Sequence, residues 1–589
     1  MYQRNGSFYQ PYKGKLLVAV LATILATALY TMNPTIEGMA TTQLANDASD
    51  ILEGVSGAHV HFDKVFRVLA VLGSSYLTRA LLLLASAFFL TNAIQQTMHD
   101  LRGALQKKIQ KMPVSYFDEH AFGDVLSCVT NDVDTLSNAL QQTLTRVISG
   151  ILTFILAVAM MLRINLLMTM LALVIIPLVI LITKVFVKRS QDLFDLQQKT
   201  VGQLNGTITE LYGGFNEIIS YNKQEDVARQ FEDVNERMRN SAFKAQFVSS
   251  LISPCVSLVT YLTIGTCAVV GCLQVIQGVI TIGQLQAFIR YVWQINDPLS
   301  QVSQLSAQVQ AAFSALRRIF TLLSEEEEVQ EGTVKIDKAS VGGNVSFEHV
   351  RFGYDKDLLM KDVNIEVESG QTVAIVGPTG AGKTTLMNLL LRFYDVKGGA
   401  IKIDGVDIRD MKREDLRSLF SLVLQDTWLF SGSIYDNIRY GRLDARKDEI
   451  ISAAKMANVH HYIRTLTKGY DSLINEEANN ISQGEKQLLT IARAILKDPQ
   501  ILILDEATSS VDTRLERRLQ EAMHRVMQGR TSFVIAHRLS TIRDADMILV
   551  LKDGDIVEQG THEELLEKKG MYEKLYHSQF AGQNFDEVF

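Results

Sequence analysis

Cysteine is scarce in this sequence: the 589 residues include only four, at positions 128, 255, 267 and 272. None of them has the paired spacing of a zinc site or of a disulfide framework, so neither organises the fold. Cysteines beside apolar runs are usually small buried hydrophobic residues, and we expect the same here. Positive charge is not in excess either, since the net charge is −7. A basic surface for DNA or RNA is therefore not expected, and nucleic acid is not a predicted partner.

The composition is not uniform along the chain, which is too long for one compact core and is expected to hold at least two domains. Residues 1–320 carry long apolar runs, whereas residues 321–589 have the pattern of a charged soluble domain. Between them lies an acidic run (SEEEEVQEG, 324–332), which we interpret as a solvated linker. We therefore predict a first domain over 1–323, a linker over 324–343 and a second domain over 344–589.

Six stretches of the first domain are long and apolar enough, or nearly so, to cross a membrane, which takes about 20 residues. They cover residues 15–36, 65–94, 143–162, 166–187, 248–275 and 282–305. No small-residue cleavage site follows the first stretch, so we interpret it as a retained anchor and not as a signal peptide. The last stretch contains polar residues from Gln284 to Asp297. They either line a pathway or mark a part of the helix that extends beyond the bilayer.

Lysine and arginine precede the first span and follow the second, fourth and sixth, which predicts a multi-pass protein with both termini in the cytoplasm. The polar segments 95–142 and 188–247 are helical in pattern and too regular to be loops. We expect long intracellular helical extensions that turn within 113–123 and 213–221. They would act as levers between the domains, although a plain helical hairpin is the alternative.

The second domain contains a glycine-rich loop between a predicted strand, 371–376, and a predicted helix, 385–394. The loop and the residue after it are Gly377, Pro378, Thr379, Gly380, Ala381, Gly382, Lys383, Thr384 and Thr385. This is the G-x-x-x-x-G-K-[ST] motif, in which backbone N–H groups and a helix N-terminus bind phosphates. Lys383 would neutralise the β/γ-phosphates and the Thr384 hydroxyl would bind Mg²⁺. ATP and Mg²⁺ are the predicted ligands.

A second apolar run, 501–504, ends in Asp505 and Glu506. At the end of a strand Asp505 can reach the Mg²⁺ ion, and Glu506 can accept a proton from the attacking water as the catalytic base.

Further motifs surround these two in a fixed order. Tyr354 precedes the loop, Gln425 follows it, ISQGE (481–485) precedes the Asp505 strand, and Asp512 and His537 come after that strand. This order resembles the ATP-binding cassette of ABC transporters, with ISQGE in the place of the LSGGQ signature. The likeness extends to the exporter subclass, because 113–131 resembles its first intracellular loop and 213–221 its second coupling helix.

The resemblance implies a role for each matched residue. Tyr354 would stack on adenine, Gln425 would join the Mg²⁺ site to the membrane domain, and His537 would contact the γ-phosphate as a second catalytic residue. Asp512 matches the D-loop, and Ser482, Gln483 and Gly484 of the signature would close over nucleotide held by a second subunit. The implied fold is an N-terminal all-α six-helix transmembrane bundle with long intracellular extensions, followed by a C-terminal α/β P-loop cassette.

The signature departs from the family pattern at two positions, since Gln483 replaces a glycine and Glu485 replaces a glutamine. A side chain at 483 intrudes where backbone should approach phosphate, and a carboxylate at 485 adds like charge. With the catalytic residues intact, this is typical of one subunit of a heterodimer whose partner has an intact signature. A homodimer with tolerated sequence drift is the alternative.

The predicted function is ATP-driven export of hydrophobic or amphipathic compounds, drug-like or lipid-like, across a bacterial inner membrane by alternating access. Its predicted partners are a second half-transporter subunit, membrane lipid and a hydrophobic small molecule. The alternatives are a homodimeric lipid or peptide exporter and a soluble-type cassette regulator; fused spans argue against the latter.

Overall fold

The computed structural model describes residues 8–330, 332–424, 427–475, 478, 480–505, 513–536 and 539–579. The chain divides into two compact units. Unit 1 comprises Met1–Lys111 and His120–Glu326, and unit 2 comprises Met112–Glu119 and Glu327–Phe589. The short segment Met112–Glu119 thus belongs to unit 2, although the residues on both sides of it in the sequence belong to unit 1.

Unit 1 is helical over most of its described residues, and irregular connections lie at 53–61 and 277–281. In chain order, the helices from the N-terminus to the end of unit 1 are α1 (Lys13–Leu52), α2 (Phe62–Ile109), α3 (Val114–Glu119), α4 (Phe122–Ser127), α5 (Val133–Ile164), α6 (Leu166–Leu173), α7 (Ile175–Gly213), α8 (Phe215–Ser220), α9 (Gln224–Ser250), α10 (Ile252–Ile276) and α11 (Ile282–Ser324). The short helix α3 belongs to unit 2, and all the others belong to unit 1. A π-helical turn, Cys128–Asp132, joins α4 to α5. The predicted turns at 113–123 and 213–221 therefore contain the short helices α3 and α8.

Among the described residues, five helical stretches are long and apolar enough to cross a membrane. They are Gln10–Leu52, Phe62–Ile109, Phe122–Ile164, Leu166–Gly213 and Gln224–Ile276. The sixth predicted span lies in α11, which is 43 residues long but richer in polar residues. These five stretches are 43 to 53 residues long, which is more than the about 20 residues that a crossing takes.

Small residues let the helices of unit 1 approach each other closely, which is the usual way membrane helices pack. Gly38 on α1 and Gly283 on α11 lie so close that a Cβ added to either would overlap the backbone of the other. A buried cluster that includes Met161, Met168 and Phe288 joins α5, α6 and α11.

The four cysteines are free thiols. Cys128 and Cys267 are buried as expected, but Cys272 is exposed. The expectation was wrong for Cys272 because α10 also presents apolar side chains outward, as a helix facing lipid can.

Unit 2 is an α/β domain. Its strands are β1 (Val345–Phe352), β2 (Met360–Val367), β3 (Thr372–Val376), β4 (Gly398–Ile403), β5 (Val406–Asp407), β6 (Phe420–Val423), β7 (Gly432–Ser433), β8 (Leu473–Ile474), β9 (Ile501–Asp505), β10 (Thr531–Ile535), β11 (Met547–Lys552) and β12 (Asp555–Gly560). Its helices after α3 are α12 (Lys383–Leu390), α13 (Arg413–Ser418), α14 (Ile434–Arg439), α15 (Lys447–Met456), α16 (His460–Thr465), α17 (Gln483–Lys497), α18 (Thr513–Met527), α19 (Leu539–Arg543), α20 (His562–Glu567) and α21 (Met571–Gln579).

The main sheet of unit 2 has six strands in the order β12-β11-β3-β10-β9-β6. Strands β11, β3, β10, β9 and β6 are parallel, and β12 pairs antiparallel at one edge. The inner strands β3, β9 and β10 are buried along almost their whole length, as expected for parallel strands covered on both faces. A second, antiparallel sheet has the order β2-β1-β4-β5. A helical domain followed by an α/β domain confirms the predicted fold class.

The acidic run after α11 is not solvated along its whole length, contrary to our interpretation. Glu328 is only 10% exposed and accepts hydrogen bonds from Arg417 at 2.6 and 2.8 Å. It also lies 3.6 Å from the guanidinium of Arg413, which is itself buried. Two arginines from α13 supply the charge that makes burial of this glutamate favourable, and they are distant in sequence.

Candidate functional site

The glycine-rich loop connects β3 to α12, as the motif predicts. Gly380 and Gly382 have φ of +83° and +97°, which L-residues rarely adopt. A Cβ at Gly377 would overlap the carbonyl of Leu551, so no larger residue fits there. Ala381 is buried and its N–H donates to the carbonyl of Pro378 at 3.2 Å. The loop therefore has the tight curvature that turns backbone N–H groups toward a phosphate, with the start of α12 behind it.

Lys383 is the cation of this loop. Its ammonium donates to the carbonyls of Gly377 at 2.7 Å and Pro378 at 3.1 Å, which holds it inside the loop. Burial lowers the pKa of Lys383, and the negative charge of Asp505 opposes that effect. An anion bound here would add a second stabilising charge, so the loop is suited to a phosphate group.

Asp505 reaches the same place from the end of β9. In the parallel sheet Asp505 pairs with Ile535 of β10, which in turn pairs with Ile375 of β3. Because parallel strands end at one edge, the loop after β3 and the Asp505 carboxylate share that edge. Thr384, the first exposed residue of α12, follows Lys383 directly.

Four predicted site residues lie outside the described residues. They are Gln425, Glu506, Asp512 and His537. The strands that precede Gln425 and His537 in the sequence, β6 and β10, are parallel members of the main sheet.

The oxygen ligands at this edge of the sheet fit Mg²⁺, which is usually held by one or two carboxylates, hydroxyls and the phosphates of its nucleotide. Thr384 and Asp505 provide a hydroxyl and a carboxylate at the phosphate-binding edge. Within the part of the chain that the structure describes, no group of three or more His, Cys, Asp or Glu residues forms a metal site. The phosphates of a bound nucleotide would supply further oxygen ligands.

Tyr354 has an exposed ring available for stacking, at 51% exposure. Its hydroxyl lies 3.0 Å from the hydroxyl of Thr385, which ties the aromatic to the phosphate loop. Its ring contacts Tyr394 edge to face, with centroids 5.0 Å apart, and Phe352 at 5.1 Å.

Tyr394 extends this aromatic cluster to the segment Met112–Glu119. Its hydroxyl donates to the carboxylate of Asp118, and both residues belong to unit 2. Burial raises the pKa of Tyr394 most, and the hydrogen bond to Asp118 raises it further, so the Tyr394 hydroxyl remains a neutral donor. Sequence reasoning missed this pair because the two residues are 276 positions apart. The predicted turn within 113–123 and the resemblance of 113–131 to the first intracellular loop pointed to the region but not to the partner of Asp118.

The signature residues form the start of α17. Ser482 is its N-cap, and its side-chain oxygen accepts from the backbone N–H of Glu485 at 3.4 Å. The Gln483 side chain is exposed, Gly484 is buried and Glu485 is partly exposed. The two unusual side chains therefore stand on the first turn of the helix, where an anion would approach.

Comparisons with known proteins cover both units. The family model described as "ABC transporter transmembrane region" matches residues 16–299, and the model described as "ABC transporter" matches residues 360–509. A fatty acid ABC transporter ATP-binding/permease protein of Mycobacterium bovis is 45% identical over 534 residues, 90% of this chain and 84% of its own length. An uncharacterized ABC transporter ATP-binding protein of Bacillus subtilis, YfiC, is 38% identical over 98% of this chain and 94% of its own. An ATP-dependent lipid A-core flippase of Syntrophus aciditrophicus is 35% identical over 82% of this chain and 81% of its own.

Proposed function

We propose that this chain, which belongs to the ABC transporter family, works as one subunit of a heterodimer. It is an exporter-type half-transporter, in which the membrane domain and the ATPase cassette form one polypeptide. Its cargo is an amphipathic, lipid-like compound that leaves the cytoplasm or the inner leaflet by alternating access. The observation that carries the heterodimer is the contrast between a complete phosphate loop and a signature altered at Gln483 and Glu485.

The cassette binds ATP, and the proposed assignment of its residues follows the geometry above. Residues 377–385 hold the phosphates and Tyr354 stacks on adenine. Thr384, Gln425 and Asp505 hold Mg²⁺, which supplies charge neutralisation at the phosphates when it is bound. Glu506 accepts the proton of the attacking water, and His537 contacts the γ-phosphate.

The altered signature weakens the opposite composite site, in which α17 of this chain would meet nucleotide held by the partner. Two unit charges about 5 Å apart interact with roughly 3 kcal/mol at an effective dielectric constant near 20. Repulsion between the Glu485 carboxylate and a phosphate would destabilise nucleotide binding by up to that energy. The positive charges of Lys455 and Arg514, which line the same cavity as Glu485, would reduce this repulsion. The Gln483 side chain adds steric interference, so the site formed with this signature binds ATP but hydrolyses it slowly.

The segment Met112–Glu119 supports a coupling role for the predicted intracellular turn. It groups with unit 2 and is anchored through Asp118 to Tyr394, which contacts the adenine-stacking Tyr354. Closure of the cassettes over ATP would move this segment, and with it the ends of α2 and α4.

Two further points concern the environment and the cargo. The distribution of lysine and arginine supports cytoplasmic termini and a cytoplasmic cassette, and bacterial relatives support an inner-membrane location. The relatives named as a fatty acid transporter and a lipid A-core flippase favour a lipid-like compound over a water-soluble one.

The test compares the chain alone with the chain co-purified with a candidate partner half-transporter that has an intact signature. Alone, it should hydrolyse ATP at background rates. The double variant Gln483→Gly/Glu485→Gln should raise that rate at least tenfold, because it restores the family signature to both sites of a homodimer. Lys383→Ala in the same double variant is the control and should abolish the gain. Rapid hydrolysis by the unaltered chain alone would overturn the heterodimer.

A further inference from the structure

Unit 1 contains a cavity of about 260 Å³ that is lined by both polar and apolar residues. Arg79 of α2 and Arg146 of α5 both line it, as do Tyr30 of α1 and Gln294 of α11. Arg79 is the one Asp, Glu, Lys or Arg between Arg67 and Asp100 in the sequence, and Arg146 is the one between Asp134 and Arg163. Charged residues inside membrane helices are costly and usually mark a pathway or a ligand site. Two of them lining one cavity therefore call for an explanation.

Neither arginine has a counter-ion among the residues whose side chains the structure describes. The central carbon of the Arg79 guanidinium lies 4.2 Å from the ring centroid of Tyr30, which is a cation–π contact and not an ion pair. The nearby acid Glu37 pairs with a different cation, Arg290, at 3.9 Å and accepts from Tyr76 at 2.9 Å. The described lining of the cavity thus contains two positive charges and no negative one.

Thr23, Thr27 and Gln294 also line the cavity, but they do not add further donors for an anion. The hydroxyls of Thr23 and Thr27 donate to carbonyls one turn back on α1, at 2.9 and 2.7 Å. Gln294 is 6% exposed, its Nε2 donates to the carbonyl of Tyr30 at 3.1 Å, and its Oε1 has no partner among the described residues. The wall therefore offers strong donors for an anion at Arg79 and Arg146, and one buried acceptor for a hydroxyl or N–H at Gln294.

We propose that this cavity binds the headgroup of the transported amphiphile and that the headgroup is anionic, a carboxylate or a phosphate held by Arg79 and Arg146. The inference rests on the proposed export of a lipid-like compound and names its chemical class. A cavity of about 260 Å³ is large enough for a carboxylate or phosphate headgroup. The chain of the amphiphile would extend beyond the cavity.

The test uses the full transporter with its partner subunit in lipid nanodiscs. Binding is measured for four probes with hydrocarbon chains of the same length: palmitate, palmitoyl lysophosphatidic acid, palmitoylglycerol and hexadecyltrimethylammonium. The two anionic probes should bind at least tenfold more tightly than the neutral and cationic ones, and their ranking distinguishes a fatty acid from a phospholipid headgroup. Arg79→Gln and Arg146→Gln should each weaken anion binding by roughly ten- to a hundred-fold.

Matched controls separate the headgroup site from a general loss of charge. Arg67→Gln on α2 and Arg163→Gln on α5 make the same change outside the cavity and should leave binding unchanged, whereas Arg79→Lys should retain part of it. Asp297→Asn tests a counter-ion from α11: if it restored anion binding to Arg79→Gln, the arginine would be serving an ion pair, and the site would be overturned.

Equal affinity for the neutral and anionic probes would also overturn the site. Basal ATPase of the heterodimer is measured in every variant. If the variants kept their basal ATPase activity but all four probes bound with equal affinity, the headgroup inference alone would be refuted. Rapid ATP hydrolysis by the chain without its partner would instead refute the heterodimer.

Discussion

Replacing Glu328 with Gln tests how much one buried carboxylate at the start of unit 2 stabilises the cassette. Glu328 is 10% exposed and accepts two hydrogen bonds from Arg417, at 2.6 and 2.8 Å, while Arg413 lies 3.6 Å away. Arg413 is 7% exposed and has a second carboxylate partner, Asp395, at 2.6 Å. The Gln variant keeps the shape of the side chain and removes its charge, so Asp395 remains as the acidic partner of this arginine cluster.

The magnitude follows from burial. Removing one partner of a buried ion pair costs about 3–5 kcal/mol, and because Arg417 is 28% exposed and Asp395 remains we expect about 2–3 kcal/mol. With a urea m-value of about 3 kcal/mol per M for a domain of this size, the unfolding midpoint should fall by roughly 0.7–1 M. Pulse proteolysis of the full-length protein in increasing urea, with the cassette fragment quantified, measures this midpoint.

Glu326→Gln is the matched control, because Glu326 belongs to the same acidic run and is exposed. Its free energy of unfolding should stay within about 0.5 kcal/mol of that of the unaltered protein. If the two variants had the same midpoint, the acidic run would be solvated throughout and the reasoning from burial would be refuted.

Three further changes probe the site. Tyr394→Phe keeps the aromatic packing but removes the hydrogen bond to the exposed carboxylate of Asp118, which is worth about 1 kcal/mol. The amount of substrate transported per ATP hydrolysed should fall several-fold, while ATP affinity should not change. A reduced ATP affinity would instead place Tyr394 in the nucleotide site. Gly382→Ala forces a side chain into a backbone with φ of +97°, so ATP affinity should fall at least tenfold by titration calorimetry, and normal affinity would contradict the loop geometry. Glu506→Gln should bind ATP normally while turnover falls by about a hundred-fold or more, and hydrolysis at the unaltered rate would reject Glu506 as the base.

The phosphate loop illustrates what sequence alone can determine. Its glycines, Lys383 and Thr384 lie within eight consecutive residues, and the strand before them and the helix after them are visible as local patterns. Apolar runs are equally local, which is why five spans could be located and why α11, whose pattern is interrupted by polar residues, was the least certain. The chemistry of ATP binding was therefore predictable before any tertiary contact was known.

Other features depend on residues that only folding brings together. The burial of Glu328 requires arginines from α13, the anchor of Asp118 requires Tyr394, and the cationic cavity requires Arg79 and Arg146 from different helices. In each case the sequence shows an ordinary charged residue, whose usual environment is water. Whether such a charge is solvated, paired or left to bind a ligand is decided by what lies opposite it in space, because electrostatic energy depends on distance and local dielectric and not on separation along the chain.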